Sequence, residues 1–104
     1  MTTVSVIIPA YNAGAMLGAC LEALRHQTRP PDEIIVVDDG SSDGTGEMAR
    51  RCGVRVIRQA NAGPAAARNA GALVAQGDIL LFTDADCVPA PDWVERMVAA
   101  FADP

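Results

Sequence analysis

With 104 residues, half of them hydrophobic and a fifth charged, the chain has material for one small globular domain with one core. Its net charge of −5 argues against nucleic acid or an anionic membrane as a partner, since both select a basic face. All eight basic residues are arginines, so phosphate chemistries that depend on a lysine are removed as well.

Thr3–Pro9 is β-branched and apolar and predicts a first strand, with Pro9 expected to end it. Ala10 to Gly14 reads as a loop. From Ala15 to His26 the apolar residues Leu17, Cys20, Leu21 and Leu24 recur at the spacing of one buried helix face. Pro30 and Pro31 close that segment, and Glu33–Asp38 is a second strand. The polar run Asp39-Gly40-Ser41-Ser42-Asp43-Gly44 turns the chain into a second helix ending near Cys52, with Ser42 or Asp43 as its cap and Gly53 beyond its end. Val54–Arg58 alternates apolar and charged residues, as expected of a third strand at a sheet edge. Asn61-Ala62-Gly63-Pro64 leads into an alanine-rich helix over Ala65–Ala75, with Pro64 at its first turn and Gly71 placed for close packing. Gly77-Asp78 opens a fourth strand, Ile79 to Phe82. Val94, Met97, Val98 and Phe101 then mark a final amphipathic helix. The order βαβαβαβα predicts an α/β fold, a Rossmann-like three-layer α/β/α domain with a four-stranded parallel sheet.

Cys20, Cys52 and Cys87 lie far apart and include no C-x-x-C pair, which speaks against a zinc site or a disulfide framework and suits a reducing compartment. No apolar run is long enough to span a membrane, and the first strand leaves no room for a signal peptide. The expected location is therefore cytoplasmic, with a longer parent protein able to sit at the cytoplasmic face of a membrane.

Parallel strands carry four polar clusters to one edge of the sheet: Ala10-Tyr11-Asn12, Asp38 to Ser41, Asn61 to Asn69 with Arg68, and Asp84-Ala85-Asp86. Ligand crevices of α/β sheets lie along that edge. Asp84 and Asp86 fall on one side of an extended backbone and form a natural seat for a hard divalent cation, although a D-x-D taken alone is more often a solvated acidic turn. Asp38 and Asp39 point to opposite sides, so one can face the crevice while the other is buried or caps the next helix. Arg68 can neutralise a diphosphate, pair with Asp39, or simply be solvated. Tyr11 can stack on a base or sugar, whereas Trp93 fits the core better. His26, at a helix C-terminus, suits the dipole there rather than chemistry. Gly44-Thr45-Gly46-Glu47-Met48-Ala49 has the form of a dinucleotide fingerprint, but no acidic residue occurs between Glu47 and Asp78 to hold a ribose. A receiver domain and a Walker phosphate loop both need the lysine that is absent.

Taken together, Val4 to Asn12, Val37 to Thr45, Asn61 to Gly63 with Ala67 to Gly71, and Thr83 to Asp86 resemble the nucleotide-binding half of glycosyltransferase family 2, which has the GT-A fold. The resemblance covers residues 3 to about 101 in four motifs of matching order. It implies a nucleoside diphosphate sugar as donor, most often a uridine diphosphate sugar, and inverting transfer through a divalent cation, Mg2+ or Mn2+. By the same resemblance Pro9, Ala10 and Tyr11 line the base pocket, Asp39 contacts the base, and Arg68 lies in the segment that closes over the nucleotide. Asp84 sits near ribose and metal, and Asp86 ligates the metal. Gly63 and Ala85 are carried within the matched motifs as substrate-binding positions. The family's general base lies downstream of its D-x-D, and no carboxylate here occupies that position. Residues 1–104 are therefore expected to be a donor-binding part without its own catalytic base. A non-catalytic nucleotide- or metal-binding module is the alternative. A fourth strand with a bare edge also implies a homodimer or a swapped assembly.

Overall fold

The computed structural model describes residues 2–102. Eight elements alternate along the chain: β1 (Val4–Ala10), α1 (Gly14–Arg25), β2 (Glu33–Asp38), α2 (Thr45–Arg51), β3 (Arg55–Arg58), α3 (Pro64–Val74), β4 (Ile79–Phe82) and α4 (Trp93–Ala102). The four strands form one parallel sheet in the order β3-β2-β1-β4. The chain steps outward from β1 to β3, then returns to place β4 on the other side of β1. A reversal of this kind opens a crevice at the carboxyl ends of the strands.

Period-two patterning in the central strands builds the layers. Val4, Val6, Ile8 and Val36 face a cluster with Leu17, Cys20, Leu21 and Leu24 of α1, Ala49 of α2 and Val94 of α4. Ile7, Ile35 and Val37 face the opposite way, toward Ala67 of α3. Three helices thus cover one face and a single helix the other, giving the expected three-layer α/β/α arrangement. The buried residues of α1 are the four whose spacing predicted its apolar face. Each leucine among them adds about 1.5–3 kcal/mol through the surface it removes from water. Gly71 does bring α3 close to the sheet, because a Cβ there would stand 2.5 Å from Ile7 Cγ2. Pro64 is at the start of α3, and Gly53 follows α2 with φ +81°.

Pro9 does not end its strand as expected. It lies within β1 and pairs in register with Val37. The hydrogen bonds from Thr83 N to Ile7 O and from Asp39 N to Ala10 O show which way successive residues point. Odd-numbered residues of β1 turn their backbone groups toward β4 and even-numbered ones toward β2. The β4 ladder has already stopped at Ile7 and Phe82. The missing N–H of Pro9 therefore faces a side where no strand remains to be paired, which is where a strand tolerates proline.

β3 is an edge strand, as its alternation predicted. β4 is the other edge, and its outer side is free among the described residues. Leu80 is half-buried on the α3 face, while Phe82 and Leu73 are exposed. In α4 the stripe is only partly covered: Val94 is buried and Val98 and Trp93 pack on the core, but Met97 and Phe101 are exposed. No helix among the described residues is long and apolar enough to cross a membrane.

Candidate functional site

The ends of β1 and β2 are stitched together before any ligand is considered. Asn12 adopts a left-handed conformation (φ 47°), which asparagine tolerates better than most residues. Its side-chain oxygen accepts from Ser42 N at 2.9 Å, and its own N–H donates to Ser41 Oγ at 2.9 Å. Ala13 N and Gly14 N donate to the Thr45 hydroxyl and the Asp43 carboxylate. The first two loops thus form one hydrogen-bonded shelf.

Asp38 and Asp39 diverge as expected, and both are buried. Asp38 turns toward α2, where it accepts from Arg58 Nη1 at 2.7 Å and from Ser41 N at 2.9 Å. A Cβ on Gly46 would come within 2.5 Å of its Oδ2, so the glycine that mimicked a dinucleotide fingerprint makes room for a carboxylate. Asp39 turns the other way, toward the start of α3. Its Oδ1 accepts from Gln59 Nε2 at 2.9 Å and from Ala62 N at 2.8 Å; its Oδ2 accepts from Gly63 N at 3.0 Å and from Asn61 Nδ2 at 3.3 Å. The segment 59–63 is wrapped on this one side chain. It can come so close because residue 40 is glycine: φ there is +80°, and a Cβ would stand 2.8 Å from Asn61 N.

The Gln59 amide, with the Ala62 and Gly63 N–H groups, holds the Asp39 carboxyl below the usual carboxylate range, outweighing an opposing desolvation effect. A depressed folded value adds stability above the unfolded value, and that stability is lost as pH falls through the folded value. Below about pH 4 the Ala62 and Gly63 amides are therefore expected to lose hydrogen-exchange protection before the sheet does. Protection at these two amides that persists until the whole sheet opens would contradict that role.

The second carboxylate pair is brought together differently from the expected extended alternation. After β4 ends, Cys87 N donates to Asp84 O at 3.1 Å and closes a turn. Ala85 points inward, buried in the α1-side core, so it contributes no side chain to the crevice. That inward anchor leaves Asp84, Asp86 and Cys87 on the exposed side of the turn. One carboxylate oxygen from each aspartate and Cys87 Sγ all lie within 4.8 Å of one another. Ligands held at about 2.0–2.6 Å from one cation sit at most about 5 Å apart, so this donor set fits a divalent ion.

A cavity of about 330 Å3 is lined by Pro9, Ala10, Tyr11, Asp39, Asn61, Gly63, Pro64 and Asp84. It joins the ends of all four strands on the carboxyl edge. Asp86 belongs to the adjoining donor cluster. Arg68 is exposed on α3 and is absent from both the cavity lining and the partners of Asp39. Trp93 packs on the core, and His26 is exposed at the end of α1, beside Glu22. Sequence reasoning missed Gln59 and Arg58, and it placed Asn12 and Asn61 at this edge without their roles; all four shape the site by holding other groups in place. A cavity of the same size at the opposite edge is lined by Thr3, Ser5, Asp32, Glu33, Gln76 and Gly77. Its polar groups are already joined to one another, Ser5 Oγ and Gln76 N both donating to Glu33, and Gly77 N to Ser5 Oγ. That network is structural.

Comparison with known proteins bears on this geometry. The family model described as glycosyl transferase family 2 matches residues 5–104. The glycosyltransferase AglE of Haloferax volcanii is 42% identical over 107 residues, covering 95% of this chain and 35% of that protein. The mannosyltransferase PcManGT from Pyrobaculum calidifontis, solved in complex with GDP-Man and Mn2+, superposes with a TM-score of 0.91 at 33% identity, covering 99% of this chain and 33% of that one. TarS 1-349 of S. aureus, solved in complex with UDP-GlcNAc, gives a TM-score of 0.85 at 31% identity, covering 97% of this chain and 31% of that one. The chain spans about a third of the length of the curated relatives AglE, YibD and EpsH.

Proposed function

The chain belongs to glycosyl transferase family 2, and from that premise we propose that residues 1–104 form the donor-binding part of a transferase using a nucleoside diphosphate sugar, a uridine diphosphate sugar first among them. The observation that carries this reading is the composition of the crevice. Two carboxylates and no basic side chain line a cavity on the ligand-binding edge, beside a donor set sized for a divalent ion. An anionic diphosphate would be repelled there unless a cation came with it. When bound, magnesium or manganese supplies Lewis-acid neutralisation of the charge on the leaving diphosphate.

The chain's own residues do the rest of the binding. Tyr11, 56% exposed at the mouth of the cavity, offers a face on which a base can stack. Asp39 accepts an N–H from the base edge. Four donors already occupy its two oxygens, so one must yield. The Asn61 amide is the longest of the four at 3.3 Å and keeps a second bond to Asp39 O at 3.0 Å. Pro9 and Ala10 form an apolar floor. Gly63 and Pro64 bring the start of α3 to the cavity; Gly63 N–H is spent on Asp39 and Pro64 has none, so the Ala65 and Ala66 N–H groups are the ones left for phosphate oxygens. Transfer then inverts the anomeric carbon by a single displacement: the acceptor hydroxyl attacks opposite the diphosphate, the carbon–oxygen bond to diphosphate breaks, and the acceptor proton passes to a carboxylate outside these residues.

Calorimetric titration with UDP, GDP and ADP, each with and without manganese, tests the reading. Saturable binding that requires manganese and favours UDP is expected. Failure of all three nucleotides to bind in manganese would overturn it.

A further inference from the structure

The turn after β4 places a thiol among the carboxylates. Cys87 is the residue at which that turn closes on Asp84, and its Sγ lies 3.8 Å from Asp86 Oδ1. It is the one exposed cysteine of the three. Cys20 is buried beneath the turn, its Sγ 3.7 Å from Asp84 O, and burial pushes its thiol up to about 11, reinforced by Cys87, Asp86 and Asp84. Cys52 packs against Met48 Sδ at 3.9 Å on α2. Cys87 alone therefore has a free sulfur within reach of a cation held by the aspartates.

We propose that Cys87 is a third protein ligand to the cation at Asp84 and Asp86, and that its sulfur tilts the site away from magnesium and toward more thiophilic divalent ions such as cobalt and zinc. The inference rests on the donor-and-cation reading above. Carboxylate oxygens and water suit magnesium, whereas thiolate sulfur suits softer ions and follows the rising affinities of the later first-row metals. On coordination the thiol gives its proton to solvent. The cation site of this chain is thus of mixed hardness, and its metal preference is set by the residue after the D-x-D.

The test uses cobalt alone as a probe, because a cobalt–thiolate bond produces a charge-transfer band in the near ultraviolet that oxygen ligands do not. Cobalt titration of the wild-type chain is expected to raise that band to saturation at one equivalent. Cys87→Ser is expected to abolish the band and to weaken cobalt binding by at least about 10-fold, a larger loss than it causes for magnesium. Cys52→Ser is expected to retain the band. A wild-type chain without the band, or a Cys87→Ser chain that keeps it, overturns the proposal. Manganese binding followed by electron paramagnetic resonance in wild type and Asp86→Ala separates this from the reading beneath it. If Asp86 is needed for manganese but no sulfur band forms, the aspartates hold the ion without Cys87. If manganese binds equally well without Asp86, the cation reading itself fails.

Discussion

Replacing Asp86 with alanine is expected to lower the affinity for UDP in manganese by about 100-fold or more, the upper end of the losses seen when even an outer support of a metal site is removed. Without manganese the variant and the parent chain should bind UDP equally poorly. The reason is electrostatic. A phosphate charge 4 Å from a carboxylate is repelled by about 4 kcal/mol at the effective dielectric near a protein surface. Asp39 and Asp84 both line the cavity, and no arginine does. Under the proposed reading a cation reverses that sign, and Asp86, exposed on the turn, would help to hold it. Exposure also means that the substitution opens no cavity, so the melting temperature should hold. Calorimetric titration of both chains, with and without manganese, reads the effect directly. An affinity in manganese that survives the substitution would remove Asp86 from the cation site.

Gly71→Val is expected to cost about 3 kcal/mol or more and to lower the denaturation midpoint accordingly, read by urea titration of the wild type, Gly71→Ala and Gly71→Val. Two effects compete. Replacing a mid-helix glycine by alanine gains up to about 1 kcal/mol in helix propensity. Against that, the new Cβ would stand 2.5 Å from Ile7 Cγ2 and 3.2 Å from Val37 Cγ2. Ile7 and Val37 are fully buried on the central strands, and β-branched side chains have little rotameric freedom to yield. Overpacking of a filled core costs about 1–3 kcal/mol for the first added carbons, so Gly71→Ala should be neutral to mildly destabilising. Valine adds two further methyl groups and loses most of the propensity gain. A valine variant as stable as the parent would show that α3 can lift from the sheet without penalty, contrary to the packing described above.

Most of the fold could be read from residue patterns because the signals were local. Continuous apolar runs in the central strands, alternation in β3, helical spacing in α1 and Pro64 at the start of α3 each reflect one element's own surroundings. The site was legible where a charged or aromatic group followed a strand, as with Tyr11, Asp39, Asp84 and Asp86. It was illegible where the information lay between elements. Nothing local in Gln59 or Asn61 says that both amides will be spent on Asp39, twenty or more residues earlier. Arg58 on an alternating edge strand reads as solvated, yet its guanidinium is committed to Asp38. Ala85 looked like part of a motif in the crevice; its burial follows from a turn that strand periodicity does not describe. Arg68 lies by resemblance in a segment that closes over the nucleotide, and of its readings the pairing with Asp39 is pre-empted, because neutral donors already fill that carboxylate.

Pro9 has a consequence that reaches the boundary of the crevice. In the parallel ladder between β1 and β4, the rung after the bond from Thr83 N to Ile7 O would run from the N–H of residue 9 to the carbonyl of Thr83. Proline has no hydrogen to give, so lengthening β4 by two residues gains no rung on that side. The opening above Phe82 is therefore favoured by the covalent structure of Pro9 as well as by the packing of Ala85. An extended β4 would have to skip that rung, which favours the turn that carries Asp84, Asp86 and Cys87 beginning where it does.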